Sequence, residues 1–315
     1  MEKIDVVIPF HRVDKFLFQA IDSIESQIEC HANLILIDDR ENPHSSAFRA
    51  PAGSIMKKTG GVGYSKALEA GINLCQSPYV AFQDSDDISS ITRLSTQLKV
   101  LKESDADIVF CRMKRINHNG RRSLVSPVAP LSSELITESL LLGSFGANST
   151  WVIRQEKMNG FFQFSYQSLD WASALLGFPS MKVKGVNAEL YKYRKHQGQM
   201  TASAEYTRTA FTEIYPLWTK LNTELELPFL SQTEAAAIAF PSFGGQWTPL
   251  VQKWVECFFA HVELKLSENP TGYEAIIGQR LIQAVINEGI KLDFIKSHKY
   301  IWKYLYSQVK VHPSG

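Results

Sequence analysis

The stretch Phe82-Gln83-Asp84-Ser85-Asp86-Asp87 places three carboxylates within four residues, directly after the apolar run Pro78-Tyr79-Val80-Ala81-Phe82. A short run of β-branched and aromatic residues behind the turn-forming Gln76-Ser77-Pro78 reads as a buried strand. A strand that ends in acids sets several negative charges at one lip of a sheet, and such crowding needs a cation or basic groups to offset it. Hard divalent ions take carboxylate oxygen, and in phosphate chemistry they bridge one or two carboxylates to the substrate's phosphates. The competing reading is an acidic turn that leads into a helix near Ile91, capped by Asp86 or Ser89.

Upstream, Asp5 to Pro9 reads as a strand ended by proline, and Leu34-Ile35-Leu36-Ile37 as another that ends in Asp38-Asp39. Apolar residues at helical spacing follow the first strand (Phe16, Leu17, Ala20, Ile21, Ile24), and a helix is expected over 64–75 after Gly60-Gly61-Val62-Gly63. Downstream, 91–102 reads as a helix and Asp107 to Cys111 as a strand. Strands alternating with helices indicate βαβ units and a mostly parallel sheet. In such sheets ligands bind outside the carboxyl ends of the strands, so both aspartate pairs are expected at one crevice.

Beyond Arg121-Arg122 the pattern predicts a helix over 133–142, a strand over 149–153 and a short helix over 167–177 that holds Asp170. From about Ala210 the chain reads as wholly helical. Ser231-Gln232-Thr233-Glu234 fits a capping box, and Thr248-Pro249 fits a cap ahead of a helix over 250–266. A further helix is expected over 271–288, stopped by Gly289. The domain boundary is set near 205, giving a catalytic domain over 1–205 and a helical subdomain over 206–315.

Length and composition narrow the function. A chain of 315 residues with net charge +1 and a pI near 7.7 gives no argument for nucleic acid. Cys30, Cys75, Cys111 and Cys257 lack metal-site spacing, and three of them sit among apolar residues, which favours buried thiols in a reducing compartment. The sequence shows no signal-peptide pattern and no apolar run of membrane-spanning length, so a cytoplasmic location is expected.

Val6-Val7-Ile8-Pro9-Phe10-His11-Arg12, Leu36-Ile37-Asp38-Asp39, the run Gly63 to Ile72, Tyr79 to Asp87, and Arg93-Leu94-Ser95-Thr96-Gln97 occur in a telling order. Over roughly residues 4–200 this ordered set resembles family 2 glycosyltransferases of the GT-A fold. The resemblance implies an α/β domain of mostly parallel sheet flanked by helices, followed here by a C-terminal helical extension. It implies a metal-dependent, inverting transfer of a sugar from a nucleotide diphosphate, with a UDP-sugar as the expected donor. The acceptor would be a saccharide or lipid-linked saccharide hydroxyl, and the setting surface polysaccharide synthesis.

By the same resemblance, Asp39 would bond the base, while Pro9, Phe10 and Arg12 line base and ribose. Gly63 would let backbone approach the nucleotide, and Lys66 would meet the diphosphate or base. Asp84-Ser85-Asp86 is similar to the family's DxD motif, with Asp84 on ribose or sugar and Asp86 on a Mn²⁺ or Mg²⁺ ion. His196 matches a histidine that in some members completes the metal shell or touches the diphosphate, and Asp170 falls where the family places its base. From the residues themselves, Arg194 and Lys195 are the alternative phosphate ligands, and Trp171 beside Asp170 offers a ring to an apolar sugar face. Departures from the family pattern are His11 for Asn, Arg40-Glu41 after the aspartate pair, Glu69 for Asn, no proline within Ser90 to Thr92, and Leu169 for an acid.

Two alternatives keep the fold: a nucleotidyltransferase, and a non-catalytic sugar-nucleotide-binding scaffold. The aromatic and lysine residues of Phe294 to Tyr306 allow either packing within the helical subdomain or a peripheral membrane contact. The helical subdomain is also read as a surface for acceptor or for a second copy of the chain.

Overall fold

A computed structural model describes residues 1–42, 48–121, 136–143, 147–196, 199, 204–239, 245, 246 and 248–265. The expected helix over 271–288, the segment Phe294 to Tyr306, and Gln197 and Gly198 lie outside the described residues.

The strands are β1 (Glu2–Phe10), β2 (Cys30–Asp38), β3 (Ile55–Lys58), β4 (Tyr79–Phe82), β5 (Ile88–Ser89), β6 (Ile108–Asn117), β7 (Trp151–Arg154) and β8 (Val183–Lys195). They form one sheet in the order β3-β2-β1-β4-β7-β6-β8-β5. Only β7 and β5 run against the other six, so the sheet is mixed with a parallel majority.

Alternation along β1 explains the layers. Ile4, Val6, Ile8 and Phe10 join a core with Leu34 and Leu36 of β2, Leu17, Ile21 and Ile24 of α1 (Lys15–Glu25), and Leu94, Leu98 and Leu101 of α3 (Arg93–Glu103). Each such side chain, once fully buried, contributes about 1.5–3 kcal/mol. The helix α1 starts where Asp14 accepts from the Phe16 and Leu17 amides at 2.8 and 3.2 Å. Val7 points to the opposite face, under α2 (Tyr64–Ile72). There α2 presses so close that a Cβ on Gly71 would lie 2.3 Å from Val7 Cγ1 and 3.1 Å from Ile37 Cγ1.

Pro9 does not end β1, which continues to Phe10 in register with Asp38. The Phe10 carbonyl accepts from the Asp39 amide, and the Val7 carbonyl from the Gln83 amide. Alternation therefore turns the Pro9 nitrogen toward the β4 side, beyond the last β1–β4 pair, Val7 with Phe82. No ladder bond is lost there, so the proline is tolerated.

Asp5 is a buried acid with a structural task. Its carboxylate accepts from the Gln76 and Ser77 amides, the Ser77 hydroxyl and the Asn33 amide at 2.6 to 2.9 Å. These bonds tie the turn before β4 to β1 and β2.

The chain divides into two compact units. The described residues of the first lie within Met1–Pro127, Gly146–Ser173 and Ser180–Gln199. The second contains α4 (Ile136–Ser139), the turn Leu140–Leu142, α6 (Ala204–Glu224), α7 (Gln232–Ala239) and α8 (Pro249–Lys265). Its core stacks Trp218 on Trp254 and Trp254 on Phe258, and the Trp218 indole donates to the Leu141 carbonyl at 3.0 Å. Both expected helix starts form: Ser231 and Glu234 bond reciprocally, and Thr248 accepts from the Val251 amide. Among the described residues no helix is long and apolar enough to cross a membrane.

Burial raises the Asp5 carboxyl's pKa, but the bonds from Ser77, Asn33 and Gln76 outweigh it, and the net pKa is below the ordinary value. Its stabilisation is therefore complete above the unfolded carboxylate pKa and lost as pH falls through the lower folded value. Asp5→Ala should cost about 1–3 kcal/mol, measured by urea unfolding at pH 7, with the gap to wild type closing in strong acid.

Candidate active site

The acidic turn follows β4 as Asp84 to Asp87, with the Asp87 amide donating to the Asp84 carbonyl at 3.3 Å. Two buried arginines hold it. Arg93 of α3 donates to the Phe82 carbonyl at 3.1 Å, the Ser89 hydroxyl at 2.9 Å and Gln83 Oε1 at 3.3 Å, so it spans both flanks of the turn. Its guanidinium lies 5.0 Å from the Tyr191 ring, and the Tyr191 hydroxyl accepts from the Asp84 amide at 3.2 Å. Arg194 of β8 donates its amide to Asp87 Oδ1 at 2.7 Å and its Nε to the Asp86 carbonyl at 2.8 Å. The same guanidinium reaches Gln19 at 2.8 Å and covers the Phe16 ring at 4.4 Å.

These placements correct several expectations. Arg194 is 2% exposed and its donors face the protein interior, so it shapes the turn and is not displayed for phosphate. Trp171 is 1% exposed and presents no face to a sugar. Neither Asp86 nor Ser89 caps a helix: α3 begins after Thr92, and Ser89 instead binds Gln83 and Arg93. Lys66 is not among these corrections: it is exposed, with Glu69 2.8 Å away.

The other aspartate pair splits in role. Asp38 is fully buried and its carboxylate is gripped at both oxygens by Arg40 at 2.7 Å, so it faces no crevice. Asp39 accepts from Thr59 Oγ1 at 2.7 Å, the Val62 amide at 2.8 Å and the Gly63 amide at 2.9 Å. It thereby fixes the glycine loop, in which Gly60, Gly61 and Gly63 all have φ between 78° and 90°. L side chains seldom take that backbone region, which is why glycine recurs. Phe10 is buried against Phe48 at the end of β1, Pro9 lies beside it, and Arg12 is exposed beyond.

On the open side, Asp86 Oδ2 lies 2.8 Å from His196 Nε2, and the imidazole packs on Phe16. Ser85 is half-buried between the two acids of the motif. Asp84 Oδ1 lies 3.2 Å from the Tyr64 hydroxyl. Asp170, in the first turn of α5 (Leu169–Gly177), accepts from the Trp171 amide at 2.8 Å and from Ser168 at 3.4 Å. Burial, and next the charge on Asp86, push the Asp84 carboxyl up to about 7. Burial, then Asp86 and Asp84, push Asp87 well above the ordinary range, and burial also raises Asp170. The Asp170 charge is felt at both Asp84 and Tyr64, so these groups share one electrostatic neighbourhood.

Among the described residues no three His, Cys, Asp or Glu side chains converge as a metal site. The Asp86–His196 pair would offer a Mg²⁺- or Mn²⁺-like ion one carboxylate and one imidazole, donor types such ions accept. A closed protein cage is not needed for such an ion.

Residues 5–161 match the family model for glycosyl transferase family 2. The chain belongs to glycosyltransferase family 2. The O-antigen biosynthesis glycosyltransferase WbnJ of Escherichia coli is 24% identical over 217 residues, 65% of this chain and 84% of that protein. Glycosyltransferase GlyG of Streptococcus pneumoniae is 28% identical over 115 residues, 35% of this chain but only 38% of GlyG's own length. The crystal structure of Staphylococcus aureus TarS 1–349 in complex with UDP-GlcNAc aligns with a TM-score of 0.53 at 16% identity. That alignment covers 90% of this chain and 89% of the other, and it shows the shared GT-A fold.

Arg93, Tyr64 and Asn148 are the site-building residues that motif reading left without a role. Their signal was present only as polar residues at positions whose burial the sequence does not disclose. A group with a raised carboxyl pKa contributes stability fully present below its unfolded value and lost as pH rises through its folded one. Without divalent cation, the melting temperature of the protein should fall as pH rises through about 7. Asp84→Asn should flatten that slope, as read by thermal unfolding between pH 5.5 and 8.5.

Proposed function

We propose that the chain transfers a sugar from a nucleotide diphosphate donor to an acceptor hydroxyl with inversion, Asp170 serving as base. The observation that carries this reading is the grouping of Asp84, Asp86 and His196 at one strand end, with Asp170 in electrostatic contact with Asp84. The TarS structure carries UDP-GlcNAc, which supports a nucleotide-sugar donor, and a UDP-sugar is the donor proposed here.

The base of the nucleotide would meet the end of β1 at Pro9, Phe10 and Arg12 and the remaining acceptor capacity of Asp39. A carboxylate offers about four acceptor positions, and three are taken by the glycine loop. Gly63 keeps the backbone low beside the nucleotide, and Asp84 would take a ribose or sugar hydroxyl, with Ser85 adjacent. Asp86 and His196 would hold a divalent ion, which when bound offsets the charge that grows on the departing diphosphate. Lys66, paired with Glu69 at the surface, would reach phosphate only by giving up that partner.

The reaction balances simply. The acceptor oxygen forms a bond to the anomeric carbon, the bond from that carbon to the diphosphate oxygen breaks, and the hydroxyl proton passes to an Asp170 oxygen. One displacement inverts the anomeric centre. Burial suits Asp170 to the task, because a carboxyl with a raised pKa is a stronger base than an ordinary one. The saccharide acceptor and a role in surface polysaccharide assembly belong to the same proposal, as does a catalytic unit ending near 205.

Asp86→Ala should abolish the Mn²⁺-dependent part of UDP stabilisation in thermal-shift measurements; a shift equal to wild type would rule out the metal assignment. Asp170→Asn should lower kcat about 10²–10⁴-fold while leaving the donor KM within a few-fold, in a coupled assay for released nucleoside diphosphate. Wild-type kcat should fall on acidification from a pH above the ordinary carboxylate range, since the raised pKa protonates the base early.

A further inference from the structure

Resting on the donor reading above, we propose that Tyr64, itself held by Asn148, is a positioning residue that keeps the Asp84 carboxylate aimed at the nucleotide-sugar. Asp84 stands near two other acids, and a free side chain there would rotate to relieve the repulsion. Besides Ser149, a hydrogen-bond chain through Tyr64 opposes that rotation. The Tyr64 hydroxyl lies 3.2 Å from Asp84 Oδ1, and the Asn148 amide nitrogen lies 3.0 Å from the Tyr64 oxygen.

A phenol has a single proton. Two acceptors lie 3.2 Å from the Tyr64 oxygen, Asp84 Oδ1 and Asn148 Oδ1. The carboxylate is the stronger acceptor, and with the proton given to it the Tyr64 oxygen accepts from the Asn148 amide, so the donors run from Asn148 to Tyr64 to Asp84. Asn148 is 4% exposed, and burial together with the Asp84 charge keeps the Tyr64 hydroxyl protonated. Polarised chains of this kind strengthen in a low-dielectric setting.

The three residues come from three elements. Tyr64 opens α2, Asp84 follows β4, and Asn148 sits in the turn before β7. The residue before Tyr64 is Gly63, whose amide is held by Asp39 at 2.9 Å. The loop fixed at the tip of β2 thus also fixes the side chain that orients the acid at the tip of β4. Tyr64 touches no reacting atom in this scheme and acts through Asp84. The His196–Asp86 pair lies outside the chain of bonds.

The test compares wild type, Tyr64→Phe, Asn148→Ala and the double variant. Calorimetric titration with Mn²⁺ would use UDP-GlcNAc, UDP-glucose and GDP-mannose as donor probes and inorganic pyrophosphate as the probe of the metal and phosphate part. Tyr64→Phe should weaken donor binding about tenfold, the loss of one hydrogen bond to a charged group. Asn148→Ala should weaken it less, and the double variant no more than Tyr64→Phe alone, because the two act in series. Pyrophosphate affinity should stay within about twofold throughout, since Asp86 is untouched.

Unchanged donor affinity in Tyr64→Phe overturns the inference, and so do additive effects or an equal loss of pyrophosphate binding. Should Tyr64→Phe fail to fold, Asn148→Ala decides alone: unaltered donor affinity overturns the inference. A wild type that binds none of the three donors overturns the donor reading and this inference with it. A wild type that binds while the variants bind equally well overturns this inference only.

Discussion

The architecture of the site depends on a turn of like charges being held from inside the protein. Asp84, Asp86 and Asp87 repel one another, and an unsupported turn would relax by splaying. Arg93 prevents this by bonding the Phe82 carbonyl on one flank and Ser89 on the other. Arg194 prevents it by taking the Asp86 carbonyl and offering its amide to Asp87. Both act largely through neutral carbonyl and hydroxyl oxygens. They fix the backbone while leaving the Asp84 and Asp86 carboxylates unpaired with arginine and available to a ligand.

That division of labour has an electrostatic consequence. A site whose acids were each matched by a buried cation would be stable and inert, as Asp38 is under Arg40. Here burial and mutual repulsion instead lift the Asp84 and Asp87 carboxyls. The turn is therefore left with crowded carboxyls that no arginine neutralises directly. Strain stored in this way at a ligand site is held by the packing around it. Gln97 shows how firmly: its amide ties α3 to the Val109 and Thr150 carbonyls at 2.9 and 2.8 Å.

The glycine loop shows the same economy of parts. Asp39 is read from sequence as a base contact, yet three of its acceptor positions hold Thr59, Val62 and Gly63. The carboxylate organises the loop first, and whatever it offers a base is offered from a fixed position. Gly61 has the matching constraint: a Cβ there would lie 2.6 Å from Glu41 Cγ.

Alternation and helical spacing alone determined the leading strands, the flanking helices and the acidic strand end, because these follow from local hydrophobic patterning. The capping signals at Ser231 and Thr248 were equally legible, since a cap is satisfied within four residues. Only tertiary structure decided the rest. The strand β8 carries Tyr191 and Arg194 but is too polar to read as a strand; its partners β6 and β5 make it one. Arg194 looked like a surface phosphate ligand and Trp171 like a sugar platform until packing buried both. Asn148 gained its role from Tyr64, far away in sequence, and Arg93 gained its role from Phe82 and the Tyr191 ring together with nearer Ser89. Side-chain direction and burial are set by such distant neighbours, and no local pattern encodes them.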